Sequence, residues 1–168
     1  MHTLFRRVSL AAAIITLLLI AAACGGDTST TTTTMSDDDM SSDFAFGEPA
    51  DAADADRTIE IVSSDDLTFT PSDFTVAQGE VITFRVINEG AIPHDFTLGD
   101  EATQDEHEEE MAEMGDMTMP DEPNAIQVAA GETREITWRF TEAGGVLIGC
   151  HQVGHYDAGM RGEITVEP

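Results

Sequence analysis

Lysine is absent from this 168-residue chain, and beside five histidines its basic residues are seven arginines against 33 aspartates and glutamates. The formal net charge is −26. A surface of that sign repels nucleic acid and anionic lipid headgroups, and it draws in cations or a basic protein partner. It serves equally well to keep a protein soluble in a salty medium, so charge alone does not choose a role. Long apolar runs are missing as well. The most apolar stretch, Leu10 to Ala23, falls short of the roughly 20 residues a helical membrane span needs. No nucleophile–base pair and no glycine-rich cofactor loop stands out, which argues against an enzyme.

Cysteine is scarce: Cys24 and Cys150 are the two in the chain. Residues 1–23 read as an export signal, with Arg6 and Arg7 ahead of the apolar run and small residues leading into Cys24. Ser9 stands where a twin-arginine signal wants a large apolar residue, so an ordinary arginine-bearing start is the plainer reading. Ala21 to Gly26 resembles a bacterial lipoprotein cleavage site, which implies that Cys24 is lipidated and anchors the chain at the outer face of the cell membrane. Removing residues 1–23 leaves five arginines against the same 33 acids, a charge of −28. Lipidation of Cys24 would leave Cys150 without a disulfide partner in a compartment that favours disulfides, so its thiol is either buried and inert or chemically employed.

Few core-forming residues occur between Cys24 and Asp56, where a run of threonines and aspartates predicts a disordered tether. From Arg57 to Pro168 the pattern has period two. Ile59 and Ile61, then Ile82, Phe84 and Val86, then Ile136, Trp138 and Phe140, and finally Ile164 and Val166 alternate with polar residues. Short alternating runs separated by turns predict an all-β fold, a Greek-key β-sandwich. Two similar corners, Val76 to Glu80 and Val128 to Glu132, each place a glycine between strands. Residues 100–123 interrupt the pattern as an acidic, methionine-rich insertion holding eleven acids and Met111, Met114, Met117 and Met119. A short helix from Gln104 to Met114 would put His107, Met111 and Met114 on one face. Those residues, with Met117 and Met119, form a candidate second site for Cu(I). The alternative is a solvated acidic loop whose methionines pack against the sandwich.

The segment from Gly149 to Gly162 concentrates metal-binding side chains. Cys150, His151, His155 and Met160 fall within eleven residues at the end of an apolar strand. Upstream, His94, Phe96 and Leu98 alternate onto one face, so His94 points inward. Taken alone, a buried histidine is more often hydrogen-bonded than metal-bound. Two imidazoles, a thiolate and a thioether are nevertheless the donors of a blue copper site, whereas zinc has no use for the thioether.

Cys-x4-His-x4-Met followed by Gly162 to Val166, together with Gly90 to Phe96, resembles the cupredoxins, the plastocyanin/azurin-like blue copper proteins. The resemblance runs from about Thr58 to Val166 apart from the insertion. It implies one type 1 copper, cycling between Cu(I) and Cu(II), held by His94, Cys150, His155 and Met160. Three positions depart from the family. Asp95 stands where the family usually has an asparagine that ties the two ligand loops, Val153 stands where many members have proline, and His151 follows the cysteine. Strand alternation turns His151 away from the copper, towards the surface.

The first functional expectation is therefore a monomeric, lipid-anchored one-electron carrier that serves redox proteins with basic docking surfaces. The alternative is a copper storage, delivery or resistance protein that uses the same site plus the insertion. A subunit of a multidomain copper enzyme fits the length least well.

Overall fold

The computed structural model describes residues 44–114 and 120–168. The leader, Cys24, Met117 and Met119 lie outside the described residues. Among the described residues, ten strands and one α-helix follow in order, with a short 3-10 turn at Ala52–Asp54 after the first strand: β1 (Glu48–Pro49), β2 (Arg57–Ser64), β3 (Thr68–Thr70), β4 (Asp73–Ala77), β5 (Val81–Asn88), β6 (His94–Gly99), α1 (Glu101–Met114), β7 (Ala125–Val128), β8 (Thr133–Arg139), β9 (Gly144–Gly149) and β10 (Arg161–Glu167). One sheet runs β1-β8-β5-β2-β3 and the other β4-β10-β9-β6-β7. The chain passes repeatedly from sheet to sheet, and β2/β5 and β4/β10 pair in parallel. This is the expected sandwich with the crossing connectivity of a Greek key.

The alternating residues meet between the sheets. Ile61, Ile82, Phe84, Val86, Phe96, Leu98, Ile148 and Ile164 are all fully buried there. Phe84 and Phe96 pack with ring centroids 5.4 Å apart, and Phe69 meets Phe96 edge-on at 5.7 Å. The two corners share one design. Gly79 and Gly131 take φ of +87° and +72°, a region costly for a side chain with a Cβ. In each corner the following glutamate carboxylate accepts a backbone N–H, Glu80 from Ala77 and Glu132 from Ala129.

Two boundaries differ from the sequence reading. The tether expected to run to Asp56 is structured from Phe44 onward. Phe46 is only 5% exposed and stacks on Trp138 at 5.3 Å, with Phe44 edge-on at 5.2 Å, while β1 pairs with β8. Two aromatics among small and acidic residues give no periodic signal, so the reading missed this strap. The helix begins at Glu101, three residues earlier than expected, because Asp100 caps it and accepts from the Thr103 N–H at 2.9 Å.

Helix α1 lies over β6. All six residues of β6 are buried, including Asp95 and Thr97, which alternation alone turns outward. The helix holds its place through Gln104, whose amide donates to the carbonyls of Thr97 (3.1 Å) and Leu147 (3.3 Å). Gln104, His107 and Met111 form its buried face, and Met114 is half-buried. At the far end of the insertion, Arg134 grips Asp121 and holds that carboxyl below its ordinary pKa.

Replacing Phe46 by alanine removes the ring covering Trp138. It should cost about 3 kcal/mol of stability, the lower end for a large aromatic truncation. Urea unfolding followed through Trp138, the sole tryptophan, measures it. An unchanged midpoint would show that the strap contributes nothing.

Candidate metal centre

The site sits where β6 begins and β9 ends. His94 opens β6, Cys150 follows β9, and the turn from Gln152 to Gly159 carries His155 back before Met160 leads into β10. Backbone bonds fix that turn. Cys150 N–H donates to Met160 O (3.1 Å), Met160 N–H to His155 O (3.0 Å), and His155 N–H to Gln152 O (2.8 Å). His94, Cys150 and Met160 are fully buried, and His155 is half-buried.

Three donors converge. Nδ1 of His155 lies 3.3 Å and Nδ1 of His94 lies 3.8 Å from Cys150 Sγ, and the ligand atoms of all three lie within 4.8 Å of one another. Nitrogen and sulfur bound to one first-row ion at about 2.0–2.3 Å stand roughly 3.5–3.8 Å apart at trigonal to tetrahedral angles. The donor spacing therefore fits a single metal ion. The Nε2 of His94 is buried without a hydrogen-bond partner, so the polar neighbour of that ring is the sulfur on its Nδ1 side. Two imidazoles, a thiol and a buried thioether suit copper, which supplies a one-electron couple when bound.

The protonation states follow from burial. Desolvation lowers the pKa of His94, helped by the neighbouring His155, and desolvation likewise lowers that of His155. Both rings are thus held neutral, as metal ligands must be. Burial, and then the Asp95 carboxylate, push the Cys150 thiol far above its usual range. Without metal the sulfur keeps its proton and donates to Asp95 Oδ1 at 3.4 Å. Loading a cation exchanges that proton for the metal.

Asp95 makes the loop tie from the position where the family usually has asparagine. Its carboxylate accepts the N–H of His151 at 2.9 and 3.0 Å and of Gln152 at 3.0 Å, and its own N–H donates to Cys150 Sγ at 3.4 Å. The tie between the two ligand loops is kept, now with a full negative charge beside the sulfur. Val153 is exposed at the tip of the turn.

His151 corrects the sequence reading. It does turn away from the sulfur, but it is 1% exposed instead of lying at the surface. Its Nδ1 stands 2.7 Å from Glu108 Oε2 and its Nε2 2.6 Å from Gln104 Oε1, and its ring stacks on Tyr156 at 4.6 Å. Desolvation lowers its pKa and Glu108 pulls the other way. Alternation was read correctly, but helix α1 covers the face it points to. Gly149 makes room, since a Cβ there would run into Gln104 Oε1.

Of the candidate Cu(I) residues, Met111 is buried against Asp95, His107, Ile126 and Gln152 around a small cavity. Met111 thus packs on the sandwich, while Met117 and Met119 lie outside the described residues. A group the sequence reading missed is His107, Glu110 and Glu122, whose ligand atoms also lie within 4.8 Å of one another. Glu122 is distant in sequence from the helix, and only the fold brings it there.

A β-sandwich carrying this donor set at one end is a cupredoxin, and the chain belongs to the plastocyanin/azurin family of copper binding proteins, whose model matches residues 55–167. Among its relatives is the copper-resistant cuproprotein CopI of Rubrivivax gelatinosus, 44% identical over 125 residues that cover 74% of this chain and 75% of that one. The copper-resistant cuproprotein CopI of Pseudomonas aeruginosa is 38% identical over 74% of this chain and 83% of its own. The crystal structure of dithionite-reduced auracyanin from Roseiflexus castenholzii superposes with a TM-score of 0.60 at 30% identity, covering 68% of this chain and 99% of that one.

Two substitutions test the electrostatics of the site. Asp95→Asn keeps a loop-tying acceptor but removes a charge that favours Cu(II). The reduction potential of the copper-loaded protein should rise on the order of 100 mV, from Coulomb's law at about 5 Å and an effective dielectric of 20. Met160→Leu would take a weak thioether donor from the ion and should also raise the potential while copper stays bound. Voltammetry reads both, and an unmoved potential would remove that residue from the account.

Proposed function

We propose that this chain is an extracytoplasmic copper-resistance cuproprotein that holds one type 1 copper through His94, Cys150, His155 and Met160. The observation that carries the reading is the extent of the likeness to the two CopI proteins, which reaches three quarters of this chain. A contiguous match of that length within 168 residues takes in residues 100–123, so the comparison involves the insertion as well as the sandwich. The likeness supports copper handling over the one-electron carrier expected first from the sequence.

The export-signal pattern of residues 1–23 and the lipoprotein-like motif around Cys24 support a lipid-anchored position at the outer face of the cell membrane. Among the described residues no helix is long and apolar enough to cross a membrane. The chain acts as a binding protein and not an enzyme. With its net charge of −26, a protein partner that receives or supplies copper or electrons would dock through a basic surface.

Electron carriage remains as a second reading because the donors are preorganised. His94 and Cys150 are fully buried and backbone bonds fix the turn that carries His155, so a change of copper oxidation state would meet little rearrangement.

Deleting the protein from its own cells should lower the copper concentration they tolerate several-fold. Wild-type chain should restore tolerance and Cys150→Ser should not. If tolerance is untouched while a membrane electron-transfer rate falls, the carrier reading takes its place.

A further inference from the structure

The imidazole of His107 is buried and makes no hydrogen bond among the described residues. Its side chain is 6% exposed, yet neither ring nitrogen has a partner within hydrogen-bond distance among the described residues. Nδ1 stands 3.8 Å from Glu110 Oε2 and Nε2 stands 4.0 Å from Asp95 Oδ2. Buried imidazoles are normally satisfied, and these separations are too long for a hydrogen bond. The Nδ1–Glu110 separation fits two donors around a shared ion, since ligands bound at about 2.0–2.2 Å stand roughly 3–4 Å apart.

A third donor is in place. One ligand atom each of His107, Glu110 and Glu122 lie within 4.8 Å of one another. His107 and Glu110 are one helical turn apart on α1, so both project from the same side. Glu122 arrives on the returning chain, and its backbone is fixed by reciprocal bonds with Ala125 (3.0 and 3.2 Å) beside the Asp121–Arg134 pair. The Glu110 side chain is 48% exposed and free to swing the remaining distance. The group opens onto a cavity of about 420 Å³ whose wall also includes Glu106, Thr103 and Asn124, so water and ions reach it.

We propose that His107, Glu110 and Glu122 form a second metal site, separate from the type 1 centre, for a divalent first-row cation. One imidazole with two carboxylates is a borderline nitrogen–oxygen set that suits Cu(II) or Zn(II), and the general affinity order favours Cu(II). It is not the thioether Cu(I) site expected from the sequence, because it uses none of the methionines. The eleven acids of the insertion raise the local concentration of any cation. The two sites are close neighbours: the His107 ring meets the His151 ring edge-on at 5.0 Å, and His151 follows Cys150. The proposal stands apart from the resistance role and from the type 1 assignment.

The test uses the full chain with its first site filled by one equivalent of Cu(II), titrated with more Cu(II) and followed by equilibrium dialysis and electron paramagnetic resonance. A second ion should bind with a spectrum of nitrogen–oxygen type, distinct from the thiolate-bound one, and added Zn(II) should displace it without changing the blue band. Glu110→Gln with Glu122→Gln should weaken that second ion at least tenfold, and His107→Gln should remove its nitrogen coupling. Glu109→Gln with Glu113→Gln removes the same charge from the exposed side of the helix and should leave the affinity unchanged. A stoichiometry that stays at one, or equal weakening in the two double variants, overturns the proposal. A missing blue band with the second ion retained would instead count against the type 1 reading alone.

Discussion

The carboxylate of Asp95 joins the two halves of the site. It sits at the second position of β6 and accepts N–H groups from His151 and Gln152, so the strand bearing His94 is bolted to the loop bearing Cys150 and His155. Its own N–H meets the sulfur. Hydrogen bonds to a charged acceptor are among the stronger ones. This one lies under helix α1, shielded from competing water, because all of β6 is buried. The same charge raises the thiol pKa and should hold the copper potential down. One residue thereby sets both geometry and electrostatics.

The insertion is the second determinant. In a plain sandwich the outer face of β6 would be wet. Here Gln104 bonds to the backbones of β6 and β9, Glu108 and Gln104 engage His151, and Met111 fills the space beside Asp95. The helix is thus held by polar contacts aimed at specific partners more than by an apolar stripe. Such packing rigidifies only when its groups are satisfied. Among the described residues His107 makes no hydrogen bond, and it faces the carboxylates of the candidate second site.

The sandwich and the convergence of His94, Cys150 and His155 were legible because both rest on local signals. Period-two alternation located the strands, and the spacing of Cys150, His155 and Met160 in one loop located the site. What escaped was non-local. Phe44 and Phe46 sit in an acidic, low-complexity stretch, and only Trp138 across the fold gives them a place to pack. His151 was turned to the correct side by alternation but assigned to solvent, since an acidic helix with no continuous apolar face does not announce that it will cover a strand. Glu122 joins His107 and Glu110 only once the chain returns from the insertion.

The account turns on Cys150 serving as a copper thiolate beside His94 and His155. The absorption spectrum of the protein with one equivalent of Cu(II) tests that most directly. An intense visible band from sulfur-to-copper charge transfer, abolished in Cys150→Ser, is the predicted result. A colourless copper complex, or a spectrum that survives the substitution, would contradict it.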